Sequence, residues 1–215
     1  MINDILKDYI ELNIFPLYEN NDFGHGIDHI KYVIDRSIKF AKSVDNVNYD
    51  MVYTIAAYHD IAHHINRKEH EKLSSEILFN DDNLKKFFNE EEICLMRDAV
   101  YDHRASMDGE PRSIYGKIVS SADRNTSIDD ILRRTYSYRI SNFPNSSLNE
   151  IISESLEHIK NKFGDMGYAS NKMYFDDKEY DDFLNDIKEL ISNKDLFIEK
   201  YLSVNNLNDL FKLNE

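Results

Sequence analysis

The sequence is poor in the residues that punctuate or staple many small folds: one cysteine, three prolines and six glycines in 215 residues. A single Cys94 excludes an internal disulfide and fits a reducing compartment. It sits in the apolar run Ile93-Cys94-Leu95-Met96 and reads as core, not as a nucleophile. Positive charge is scarce too. Lys and Arg number 26 against 40 Asp and Glu, for a formal net charge of −14. Such a surface repels nucleic acid backbones and anionic membranes, so neither a nucleic acid duplex nor a membrane is expected as a partner. It also repels phosphorylated ligands at long range, and a phosphate site would have to be made locally positive. No apolar run approaches the length of a membrane span. The N-terminal MINDILKDYIELN mixes charged with apolar residues and has no signal-peptide core. The expectation is a soluble, cytoplasmic protein.

What is present is helical periodicity. Apolar residues recur at three- and four-residue spacing through most of the chain, which predicts an all-α fold. The first helix is expected over Ile2 to Phe15, closed by Pro16 and the Asn20-Asn21-Asp22 stretch. Asp28 is expected to cap a second helix, whose stripe is Ile30, Val33, Ile34, Ile38 and Ala41. Tyr49 to His63 is apolar nearly all round and reads as a central buried helix. Further helices are expected at Lys68–Phe79, Glu90–His103, Ile114–Arg124, Asp129–Ile140, Leu148–Phe163, Lys178–Ser192 and Asp195–Leu202. Without repeats or low-complexity linkers, residues 1–215 read as one domain. The metal-binding core is placed at about 20–140, with C-terminal helices over 146–205 packed on it.

Against this background stand His29, the pair His59-Asp60, His70, His103 and Asp123, each at or near the end of an expected helix. Histidine with aspartate suits Mn, Fe, Co, Ni or Zn, whereas carboxylate and water alone suit Mg. A set with Asp and no Cys argues against a structural zinc site. An unpaired charge at the end of the most apolar helix would cost several kcal/mol, and a metal removes that cost. One ion, or two sharing Asp60, fits the residues. Each position also has a plain structural reading: a buried Asp capping a neighbouring helix, a core His29, a capping His70, or a His103 facing a helix dipole.

The blocks HGIDHIKYV, AAYHDIAHH, HEKLSSEIL, AVYDHRAS and IVSSADR, in that order, resemble the HD-domain metal-dependent phosphohydrolases. The C-terminal SLEHIKNKF and YDDFLNDIKELI resemble the last helices of small bacterial members. The resemblance implies a helical bundle with metal at its centre. It also implies ligands at His29, His59, Asp60 and Asp123, with His70 and His103 added where two ions are held and Asp60 bridging them. His29 is preferred to His25 because the family's ligand precedes a valine by four residues, as His29 precedes Val33. There are departures. The cyclic-dinucleotide branch has a Lys where this chain has His63, and its Gly-Tyr-Pro signature is missing here, so that substrate is not expected. Relatives acting on small nucleotides often carry a second Asp where this chain has Thr126.

The chemistry that follows is hydrolysis of a small phosphate ester, such as a nucleotide, by metal-activated water. Asp60 would hold the metal, and His63 or His64 would protonate the leaving oxygen. His25 could also face the pocket. Arg104 is the first choice for a phosphate clamp, with Arg124, Lys72 and Arg112 behind it. Tyr101 and Tyr115 are candidates to floor a base pocket. Two other readings remain: a non-catalytic module sensing metal or nucleotide, and a dinuclear iron oxygenase on the same scaffold. A homodimer is compatible with either.

Overall fold

The structure, a computed structural model, describes residues 2–209 apart from the side chain of Phe23. Residue 1 and residues 210–215 of the expected domain lie outside them. Among the described residues all regular structure is helical, with ten α-helices, three short 3-10 segments and no strand. The all-α expectation holds. The chain divides into two compact units, with the boundary between Arg124 and Asn125.

The first unit holds α1 (Asp4–Asn13), α2 (Ile27–Ala41), α3 (Tyr49–Tyr58), α4 (His70–Phe79), α5 (Glu90–Tyr101) and α6 (Ile114–Ala122). Its centre is α3, where every residue from Met51 to Tyr58 is buried. A helix apolar all round needs neighbours on every side, and α1, α2, α4, α5 and α6 all pack against it. Burying a side chain such as Ile55 or Val52, both fully enclosed, is worth about 1.5–3 kcal/mol each. Side-chain caps set the helix starts. Asn3 caps α1, Asn48 caps α3 and Ser113 caps α6. Asn89 and Glu92 form a reciprocal capping box on α5.

Two expectations change here. Gly26, not Asp28, is the N-cap of α2, and Asp28 lies inside the first turn. There its carboxylate meets the positive end of the helix rather than closing it. The central helix stops at Tyr58 instead of running to His63, and residues 59–65 continue as turns. Ile61 and Ala62 in those turns are as buried as the helix itself. Apolar periodicity therefore cannot mark the true end.

The second unit holds α7 (Ile128–Asn142), α8 (Leu148–Phe163), α9 (Lys178–Ser192) and α10 (Lys194–Val204). Ser147 and Glu150 make a capping box on α8, and Asn193 caps α10. The core of this unit joins Leu156, Ile159, Phe163, Phe183, Ile187 and Tyr201. The rings of Phe163 and Phe183 meet edge to face at 5.2 Å. The buried Tyr201 hydroxyl is paired with Ser155 Oγ at 2.9 Å. Among the described residues no helix is long and apolar enough to cross a membrane.

Candidate metal centre

The site is assembled from the ends of five helices. His29 comes from the first turn of α2, and His59 caps the C-terminus of α3 with Asp60 next in the turn. His70 opens α4, His103 lies two residues beyond α5, and Asp123 caps α6. The turn after α3 is held from several sides. Tyr18 Oη donates to the Ala57 carbonyl at 2.8 Å, and the Ala62 N–H donates to Ser74 Oγ at 3.2 Å. Tyr58 Oη donates to the Asp81 carboxylate at 2.6 Å.

The six residues converge in two groups that share Asp60. Asp60 Oδ2 lies 3.6 Å from His29 Nε2 and 3.5 Å from His59 Nε2. Asp123 Oδ1 closes that group, 3.1 Å from His29 Nε2 and 3.8 Å from His59 Nε2. The other oxygen of Asp60, Oδ1, lies 3.1 Å from His70 Nε2 and 3.4 Å from His103 Nε2. Four imidazoles thus present the same nitrogen. In three of them the far nitrogen, Nδ1, is hydrogen-bonded to a backbone carbonyl: His59 to Ala56 at 2.8 Å, His70 to Arg67 at 3.0 Å and His103 to Val100 at 2.7 Å. A carbonyl can only accept, so Nδ1 carries a proton and Nε2 is the nitrogen left to take a cation in place of any proton of its own.

Burial decides the electrostatics. Asp60, His59, His70 and His103 are all buried. Burial alone would raise the Asp60 pKa. The field of His59 and the adjoining His103, His29 and His70 imidazoles outweigh it and hold the carboxyl well below its usual range. Asp123 is likewise held low against its burial, by His29 and His59. For His59, burial pulls downward, but Asp60 and Asp123 raise it to about 9. His103 is lowered, chiefly by burial.

The donor set fits a divalent cation. His29 Nε2 and His59 Nε2 are buried nitrogens with no hydrogen-bond partner, a costly state in a folded core. They point at two ionised carboxylates. Oxygen and imidazole donors at two shared positions are what hard and borderline divalent ions take.

A third group, Asp22, His25 and His63, also lies close together. Asp22 Oδ1 is 2.6 Å from His25 Nδ1, and Oδ2 is 3.9 Å from His63 Nδ1. The two rings stack at 3.6 Å with 19° between their planes. Lone pairs on parallel rings run side by side and do not converge on one ion. This group is therefore a hydrogen-bonded cluster bordering the centre, whose His63 ring lies 5.2 Å from that of His70.

The remaining expected site residues are dispersed. His63 is buried and His64 exposed. Arg104 is engaged by Glu71, with 3.1 Å to each carboxylate oxygen, and by the Lys68 carbonyl at 2.9 Å. Arg112 is locked in a two-pronged pair with the buried Asp102. Lys72 is exposed and Arg124 buried. Tyr115 Oη accepts the Asn48 N–H at the opposite end of α3 from His59, so it does not floor a pocket at the centre. Tyr101 is half exposed, with Arg112 over its ring. Sequence reasoning missed Asn21, Asp22 and Glu71. Their one signal was polarity in segments read as a helix terminator and as a helix face.

Residues 26–127 match the family model of the HD domain. That range contains all six converging residues and lies inside the region whose blocks carry the resemblance. No curated protein and no solved structure gives a match.

Proposed function

Because this chain is an HD-domain protein over residues 26–127, a family made up mostly of metal-dependent hydrolases, we propose that it hydrolyses a small phosphate ester, a nucleotide in the first instance, with two divalent cations. The observation that carries the reading is Asp60, whose two oxygens face two separate sets of imidazoles. His29, His59 and Asp123 would complete one position, and His70 and His103 the other. Bound there, divalent cations acidify water and offset charge developing on phosphoryl oxygens.

The chain's own residues supply the rest. The three carbonyl-anchored imidazoles are held in one tautomer and need no reorganisation. The sequence offers His63 and His64 to protonate the leaving oxygen. Burial, aided by the neighbouring His25, pushes His63 down to about 3, so it is neutral at pH 7 and a poor donor. His64, exposed and bound through Nδ1 to Asn21, is left as the candidate donor. Arg104 would clamp phosphate after exchanging its bond to Glu71 for one to substrate.

Asp60→Ala removes a ligand from both positions. A panel of phosphomonoesters, phosphodiesters and nucleotides assayed with Mn or Co should show wild-type turnover and a variant at background. Full activity in the variant would sink the reading, and tight metal uptake by the wild type with no turnover on any ester would favour a sensing module instead.

A further inference from the structure

Asn21, beside the centre, uses the whole of its polar side chain. Its amide nitrogen donates to the His25 carbonyl at 2.9 Å and to the Asp60 carbonyl at 3.0 Å. Its amide oxygen accepts the His64 N–H at 2.9 Å and His64 Nδ1 at 3.0 Å. A carboxamide has two N–H groups and two lone pairs, and all four are used. Neither segment it joins is α-helical. Residues 23–25 form a 3-10 turn, and residues 59–65 are turns after the end of α3.

That placement matters because of where Asp60 lies. Past the end of α3, it is outside the helix's hydrogen-bond ladder. Its carbonyl is held by the His63 N–H at 3.0 Å and by Asn21. The backbone angle at Asp60 sets where both carboxylate oxygens point, and those oxygens face two different ligand sets. An error of orientation at this one residue is felt at both positions.

We propose that Asn21 is a positioning residue: its carboxamide clasp fixes the backbone of Asp60 and thereby the carboxylate shared by the two cation positions. This rests on the reading of Asp60 as a shared ligand. Its oxygen also holds His64, but its effect on the cation positions is exerted through Asp60. No other residue type fits the role. Leu fills the space but makes no bond, Asp lacks the two donors, and Gln is one methylene too long.

The test is titration of the full chain, freed of metal by chelation, with Mn(II) alone. Calorimetry and elemental analysis would be applied to the wild type, Asn21→Leu and Asn21→Ala. The wild type should bind two ions and give the low-temperature paramagnetic resonance spectrum of an exchange-coupled Mn pair. In the variants the Mn dissociation constants should rise about 10–100-fold, the range for a group that orients a ligand, and the coupled spectrum should be lost. If Asn21→Leu does not fold, Asn21→Ala decides. Variants with a lowered melting temperature but wild-type Mn affinity and an intact coupled spectrum would overturn the inference and leave the hydrolase reading standing. A wild type that takes up no Mn would overturn both.

Discussion

At the scale of single residues, two carboxylates in the same unit are put to opposite uses. Asp60 gathers four imidazole nitrogens whose lone pairs need an ion. Asp81 gathers protons that are already there. It accepts from Tyr9 Oη at 2.5 Å and Tyr58 Oη at 2.6 Å, and from the Asn83 N–H at 2.9 Å. This knot ties α1 to the residue before His59. Burial would raise the Asp81 pKa, but the bonds from Tyr58 and Tyr9 outweigh it and lower it. A carboxyl whose folded pKa lies below its unfolded value of about 3.9 contributes stability that is present above that value. The contribution is lost as pH falls through the folded pKa. Asp81→Ala, which strands the buried Tyr58 hydroxyl, should cost about 1–3 kcal/mol at pH 7. In urea titrations from pH 7 downward the gap between wild type and Asp81→Asn should hold until about pH 3.9 and then narrow as pH falls toward the folded pKa. A gap independent of pH would show that the carboxylate charge plays no part.

At the scale of elements, helix existence was legible and helix ends only in part. Leu148–Phe163 and Lys178–Ser192 are found where periodicity places them. Periodicity follows from one face being buried, and that holds for any amphipathic helix. The end of α3 was hidden because Ile61 and Ala62 stay buried in a turn. The same burial makes His59-Asp60 a site and blurs its secondary structure. The six converging residues stood out because their residue types are rare on an apolar helix end. Asn21 could not, because nothing in a polar turn says which carboxamide will meet a chain segment some forty residues away. Close packing between elements was equally invisible. Gly116 on α6 lies so close to the loop before it that an added Cβ would stand 2.9 Å from Pro111 Cβ, with α5 at ordinary contact distance, 3.6 Å to Ala99 Cα. Alanine favours a helix over glycine by about 1 kcal/mol, yet here Gly116→Ala should lose about 1–3 kcal/mol through overpacking. Equal or higher stability in urea denaturation would refute that contact.

At the scale of the whole molecule, all six converging residues precede the boundary at Arg124, while 94 residues separate the first from the last along the chain. An unfolded chain cannot offer them together, so a cation binds the folded state and shifts its equilibrium by mass action. At 100 times its dissociation constant, one bound Mn(II) should add about 2.7 kcal/mol of stability. A thermal melt with and without Mn(II) should show this as an upward shift, diminished in Asp123→Ala, which opens one of the two ligand groups. An unshifted wild-type melt would mean that the ion does not discriminate folded from unfolded chain. The placement of the ligands has another side. Helix ends fray before helix middles, and here five of them must agree at one point to within a fraction of an ångström. A slip of any helix from α2 to α6 along its axis would spoil the centre before it disturbed the core. On the proposed reading, competence to hold the ions would be a gauge of assembly, and a chain that has not finished folding would be inert.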